Sequence, residues 1–163
     1  MAQVVIAGTI YQRLKEEAER RGAAVDEVVV ELLEKALGAS LDPLERAEFH
    51  RSLAEKFLRE AEELLAKGDY VQASEKAWGA AAQMVKAVAA KKGKELKSHG
   101  DLWRFVLEVA GENDELRRFW YAANALHQNF YEGWIPPEGV RRAMEDVKQF
   151  INMMKKLLDE EAV

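Results

Sequence analysis

The positions of glycine constrain this sequence more than any other feature, because they divide it into segments whose apolar residues recur every three or four positions. That spacing is typical of an amphipathic α-helix, and glycine commonly ends one. Eight of the ten glycines fall where the pattern stops or restarts: Gly8, Gly22, Gly38, Gly68, Gly93, Gly100, Gly111 and Gly133. The pattern predicts helices over about residues 9–21, 25–37, 43–67, 70–92, 100–110, 114–132 and 137–160. The chain is therefore predicted to be an all-α protein.

Local signals at the first and third of these segments predict how they begin. Thr9, with Gln12 three positions later, has the spacing of a capping box. Asp42 followed by Pro43 is a strong helix start, because an aspartate accepts from free backbone N–H groups and proline fits the first helical position. Before them, residues 3–7 (QVVIA) form the only plausible strand.

Composition excludes several kinds of protein. A chain of 163 residues with 48% hydrophobic and 33% charged residues is expected to fold into one or two globular units. A net charge of −5 disfavours a general nucleic-acid coat protein, and the absence of cysteine excludes disulfides and thiolate metal sites. Neither a signal-peptide pattern nor a long apolar run is present, so we expect a cytoplasmic protein with no membrane contact.

The three histidines give no sign of a metal site. His50, His99 and His127 fall on three separate predicted helices, without the spacing of metal ligands. We expect His50 and His99 to take part in packing. We also expect no cofactor, because no phosphate-binding glycine loop, nucleophile set or carboxylate pair stands out.

The stretch FWYAANALHQNFYEGW, residues 119–134, places two different rows on its predicted helix. One row is apolar and is expected to face the core: Leu116, Phe119, Ala123, Leu126 and Phe130. The neighbouring row combines a cation, aromatic rings, an amide and an imidazole: Arg117, Trp120, Asn124, His127 and Tyr131. Such a set suits a nucleobase and a phosphate, so these five residues are ligand-binding candidates. The alternative is that the second row is buried at a subunit interface.

The most basic part of the chain follows the fourth predicted helix. It contains four phosphate-contact candidates: Lys91, Lys92, Lys94 and Lys97. The alternative is a solvated helix end, where lysines complement the negative end of the helix dipole.

Residues 1–38 resemble the ribbon-helix-helix family. The likeness rests on the strand QVVIA, on ERRG at the end of the first helix, and on DEVVVELLEKAL in the second. The resemblance implies a dimer in which paired strands read DNA. Here the strand offers only Gln3 as a polar group, and Asp26 with Glu27 would repel a phosphate. We therefore expect residues 1–40 to be a dimerisation arm and DNA to be disfavoured as a partner.

Residues 42–160 resemble the HEPN superfamily, and within it the archaeal PaREP branch. The likeness is carried, in order, by GDYVQASEKAWGAAAQMVKAVAAKKG, KSHGDLWRFVLEV and ALHQNFYEGW. The resemblance implies an up-and-down five-helix bundle that is often dimeric. It also implies an RNase motif in which four to six intervening residues separate an arginine from the histidine that follows it.

This chain departs from that motif. His127 matches the histidine, and the arginine would then stand at position 120, 121 or 122. Those positions hold Trp120, Tyr121 and Ala122. The nearest arginines, Arg117 and Arg118, lie outside the spacing. Because RNA cleavage needs a base, an acid and stabilisation of negative charge, this departure favours binding over catalysis.

Three functional hypotheses remain open. The leading one is a HEPN-like binding module for RNA, a nucleotide or a protein partner of the toxin–antitoxin type. The first alternative is a metal-independent ribonuclease that uses His127 as acid or base, with Arg117 or Arg118 reaching the same cleft. The second is a structural or oligomerisation protein. In each case we expect a homo-oligomer, a dimer or larger, because a 40-residue arm needs a partner to fold.

Overall fold

The computed structural model describes residues 1–160, and in that range every regular element is an α-helix. The helices are α1 (Gly8–Arg21), α2 (Val25–Leu37), α3 (Pro43–Ala66), α4 (Tyr70–Lys91), α5 (His99–Ala110), α6 (Asp114–Glu132) and α7 (Pro137–Glu160). The all-α prediction is confirmed. The chain divides into two compact units, Met1–Leu41 (unit 1) and Asp42–Val163 (unit 2).

The strand predicted at residues 3–7 is wrong. Residues 1–7 have no regular secondary structure, and within residues 1–160 no strand is formed. A strand needs a neighbour for its backbone N–H and C=O groups, and the β-branched residues here have none in a single chain. The start of α1 was also predicted wrongly. Its N-cap is Ala7, which makes no side-chain cap, so Thr9 lies inside the helix.

Unit 1 is a pair of short helices joined by a three-residue turn. Only Ala18 of α1 and Val28 of α2 are buried hydrophobic residues in it. An ion pair between Arg21 Nη1 and Glu31 Oε2, 3.0 Å long, links the two helices. Gly22 ends α1 in the left-handed conformation, at φ 63°, which favours glycine.

Unit 2 is built around α4, which contacts each of α3, α5, α6 and α7. The helix α4 is thus the central helix of the unit. Its small residues allow close approach: Ala77, Ala80 and Ala81 are completely buried, and a Cβ added at Gly79 would lie 3.3 Å from the Phe57 ring of α3. Short side chains allow the helix backbones to approach closely. A large aromatic ring on α4 can therefore lie deep between the neighbouring helices.

Capping residues fix where the helices of unit 2 begin. Asp42 accepts from the backbone N–H of Glu45 at 2.9 Å, which confirms the predicted N-cap of α3. Ser98 and Asp101 form a reciprocal capping box at the start of α5, and Asn113 accepts from the N–H of Leu116 at the start of α6. These caps fix the residues at which α5 and α6 begin. Among residues 1–160, no helix is long and apolar enough to cross a membrane.

Candidate imidazole–tryptophan site

Three helices of unit 2 bring two imidazoles and a tryptophan into ring contact. Trp78 lies on α4, His99 is the first residue of α5, and His127 lies on α6. Glu75 of α4 and Tyr131 of α6 border them. These five residues are called the imidazole cluster below. They are separated by up to 56 positions in the sequence and meet because α5 and α6 both pack on α4.

His127 is held in a defined orientation by two neighbours. Its Nδ1 lies 3.1 Å from Glu75 Oε2, and its ring stacks on Trp78 with 4.7 Å between ring centroids. A carboxylate next to Nδ1 favours the proton on that nitrogen, which directs Nε2 away as the atom that can meet a ligand. The side chain retains 17% of its accessible surface, so part of the imidazole is open to a ligand.

His99 packs edge-on against both rings. Its ring centroid lies 4.9 Å from that of His127 and 5.5 Å from that of Trp78. The residue as a whole is exposed, because its backbone opens α5, whereas the ring is partly covered by these contacts. Burial lowers the pKa of His99, the charge of His127 lowers it further, Glu75 raises it, and Lys86 lowers it. His99 is therefore mainly neutral near pH 7, and can donate or accept a proton.

Lys86 places a positive charge on the same side of α4 as Glu75. Eleven residues separate the two, which is three helical turns and about 16 Å along the helix axis. Its charge reaches His99, where it contributes to the lowered pKa. This side of α4 thus has a carboxylate next to His127 and an ammonium group three turns further along.

Tyr131 gives the cluster an exposed aromatic face. Its ring meets His127 edge-on at 5.4 Å between centroids, and the residue is 70% exposed. Trp134, three positions further on, is 65% exposed. Exposed rings of this size next to polar groups mark a surface that can stack with a planar ligand.

Trp120 does not belong to this surface, which corrects its place among the ligand-binding candidates. It is completely buried and packs against Trp78, Trp103 and Phe150, with centroid separations of 5.2, 5.7 and 5.4 Å. The reason is that α6 contacts α4, α5 and α7. A helix with three neighbours buries a wider arc of its surface than the apolar row alone. Trp120 has the largest ring of the adjacent row and lies within that buried arc.

The other candidates on α6 are only partly brought together. The guanidinium of Arg117 is bound by Asp114 and by the carbonyl of Gly111, at the opposite end of α6 from the cluster. Ten residues, about 15 Å of helix, separate it from His127. Asn124 is half-buried and donates from Nδ2 to the Trp120 carbonyl at 2.8 Å. His127 and Tyr131 are thus the two members of the predicted row that share one exposed site.

The lysine-rich segment lies apart from most of the cluster. Lys91 is thirteen residues from Trp78 on the same helix, about 20 Å along its axis, and donates to the carbonyl of Leu158. Lys94 pairs with Glu108 at 2.9 Å. Lys97 is the one of these four lysines that is close to the cluster in the sequence, because it stands two positions before His99. Lys92 follows Lys91 as the C-cap of α4.

His50 has a structural environment, as expected from its position on the apolar side of α3. It is buried, and its Nδ1 lies 2.7 Å from Oε1 of the buried Gln83 on α4. Within residues 1–160, no group of three or more histidine and acidic side chains is arranged to hold a metal ion.

Sequence reasoning missed Glu75, Trp78 and Lys86, and assigned His99 to packing. Glu75, Trp78 and Lys86 sit at spacings of three, eight and eleven on one helix, which is compatible with a single face. That spacing alone does not separate them from the other charged and apolar residues of α4. Their association depends on contacts with α5 and α6, which no local pattern encodes.

A crystal structure of a protein from Sulfolobus solfataricus is similar to this chain, with a TM-score of 0.55 and 29% identity, over 65% of this chain and 96% of that one. No curated protein matches. The sequence profile of the archaeal PaREP1/PaREP8 family matches residues 49–151, which include all of the imidazole cluster. The chain therefore belongs to the archaeal PaREP1/PaREP8 family.

Proposed function

We propose that unit 2 binds single-stranded RNA at the imidazole cluster. The observation that carries this proposal is the side-by-side placement of His99, the Glu75-oriented His127 and the exposed ring of Tyr131. A stacked base needs an exposed aromatic face, and its edge needs donors and acceptors. The cluster offers an exposed ring, Tyr131, and an imidazole, His127, with 5.4 Å between their ring centroids. The resemblance to HEPN proteins, many of which act on RNA, supports the same proposal.

The charges around the cluster indicate how a strand would lie. Glu75 repels phosphate, whereas Lys86 attracts it and lies three turns further along α4. A strand with a base on Tyr131 would therefore have its phosphates directed along α4 toward Lys86, away from the carboxylate. Because the chain carries a net charge of −5, binding depends on this local arrangement rather than on a general attraction for polyanions.

Equilibrium binding of a labelled single-stranded RNA, in chelator, tests the proposal. We expect Tyr131→Ala to weaken binding by roughly 5- to 100-fold, the loss of one base-stacking contact. Tyr121→Ala is the matched control, since Tyr121 lies on the same helix and is 59% exposed but contacts Trp103 rather than the cluster. Equal affinity of the two variants would contradict the proposal. Absence of binding by the wild type would favour a protein partner or a structural role.

A second function, metal-independent cleavage of the bound RNA, is favoured by one specific feature. Two imidazoles lie 4.9 Å apart, and one of them is oriented by a carboxylate, so a base and an acid are available together. The arginine of the HEPN motif is absent, and Arg117 is held elsewhere by Asp114. Lys86, whose charge acts on His99, is the candidate for stabilising the transition state. Products on a denaturing gel that disappear in both His99→Ala and His127→Ala would establish cleavage, whereas intact RNA would leave binding alone.

A further inference from the structure

The exposed apolar residues of unit 1 are concentrated far from its connecting turn. Ile10 and Tyr11 lie at the start of α1, and Leu33 and Leu37 lie at the end of α2. All four are exposed, Leu37 by 74%. The two buried residues of the unit lie toward the turn. The helices thus cover each other near the turn and leave an apolar surface at their other ends.

The apolar surface of α2 is too wide for α1 to cover. At 100° per residue, its apolar positions run from Val28 through Leu33 to Val30 over an arc of roughly 200°, whereas a helix facing a single neighbour typically has an arc near 100°. Val28 is buried and Val30 is half-buried. The part of the arc that includes Leu33 and Leu37 has no partner within unit 1.

Unit 1 also lacks the means to be stable by itself. It has 41 residues, and domains near this size usually depend on disulfides, metals or oligomerisation. The chain contains no cysteine, and no metal-binding group is found within residues 1–160. Association remains as the source of stability.

We propose that this surface pairs with the same surface of a second copy of the chain. The large apolar side chains that unit 1 exposes within residues 4–41 are Val4, Val5, Ile6, Ile10, Tyr11, Leu32, Leu33 and Leu37. Together they present on the order of 800 Å², which is about what each partner buries in a standard interface. A patch that pairs with itself gives a closed two-fold dimer, the commonest symmetry among oligomers.

The charges of unit 1 favour a second copy over a charged partner such as a nucleic acid. Its ionic groups are of both signs, five basic and seven acidic side chains in residues 1–41, and several of them pair within the unit. Glu17 pairs with Arg20 and Arg21, and Glu31 pairs with Arg21 and Lys35. No field of one sign therefore surrounds the apolar surface, and an identical uncharged surface complements it best.

Mass measurement of the full chain in solution tests the proposal. We expect a wild-type dimer, and we expect Leu33→Glu to weaken dimerisation by at least about a hundredfold, because a charge would have to be buried in an apolar contact. Leu107→Glu is the matched control, since Leu107 of α5 is exposed to a similar extent, 45% against 51%. A wild type that is monomeric at all concentrations would overturn the proposal, as would a Leu33→Glu variant that remains dimeric.

Single-cysteine cross-linking gives a second test that does not depend on destabilising the unit. Because the chain has no cysteine, any disulfide formed by a one-cysteine variant must join two copies. We expect Leu37→Cys to form a reducible dimer under mild oxidation at low protein concentration, and Leu107→Cys to remain monomeric on the same gel. Equal cross-linking of the two variants, or none by Leu37→Cys, would contradict an interface at this surface.

Discussion

Replacement of Trp120 by alanine should lower the free energy of unfolding of unit 2 by about 4 kcal/mol. The ring is completely buried, and a buried tryptophan removes roughly 150–250 Å² from water, worth about 4–6 kcal/mol at 25 cal/mol per Å². That figure is an upper estimate, because the unfolded chain already hides part of its surface. Core replacements of tryptophan by alanine cost about 3–5 kcal/mol, which agrees. A loss of this size corresponds to a fall in Tm of roughly 10–15 °C.

Urea unfolding followed by circular dichroism would measure the change in the free energy of unfolding. Tyr121→Ala is the matched control, because the adjacent ring is 59% exposed and should cost less than about 1 kcal/mol. Trp120→Phe keeps an aromatic ring between Trp78 and Phe150 and should lie between the two. If Trp120→Ala had little effect on unfolding but abolished RNA binding, the ring would belong to the ligand site and our assignment of it to the core would be refuted.

Three further outcomes are expected. In an NMR titration of the imidazole protons, Glu75→Gln should lower the pKa of His99 further and Lys86→Gln should raise it, since these charges act on it in opposite directions; no change in either variant would contradict the geometry. The free energy of unfolding should decrease as pH falls below 6.5, the ordinary pKa of histidine, because the unfolded state binds the proton of His99 first. His99→Gln should reduce that acid dependence, and an unchanged slope in chemical denaturation would count against it. Asn129→Ala should lower the free energy of unfolding by about 1–3 kcal/mol, since this buried amide donates to Ser74 Oγ and accepts from the N–H of Ile135. Thermal unfolding measures this change, and a loss well below about 1 kcal/mol would contradict a structural role for the amide.

Helix positions could be predicted from the sequence because their signals are local. Asp42 caps a helix through its own near neighbours, and the apolar spacing of each segment repeats within a few turns. The strand at residues 3–7 was wrong for the opposite reason. Valine and isoleucine favour a strand only where another strand supplies hydrogen bonds, and that partner is not a property of the segment.

The candidate site was only half predictable for a related reason. The row containing His127 and Tyr131 follows from helical spacing, and both residues share the exposed edge of the cluster. Trp120 occupies the same row but is buried, because the width of a buried arc depends on how many helices surround it. Glu75 and His99 reach His127 across 52 and 28 positions of sequence, and no short-range pattern encodes that contact.

The most direct test of RNA binding at the imidazole cluster is an NMR titration of the full chain with a short single-stranded RNA. We predict that the imidazole resonances of His99 and His127 and the ring resonances of Tyr131 shift together and saturate with one dissociation constant, while those of Tyr121 stay in place. Shifts confined to the segment from Lys91 to Lys97, or an unchanged spectrum at saturating RNA, would contradict the assignment of this site.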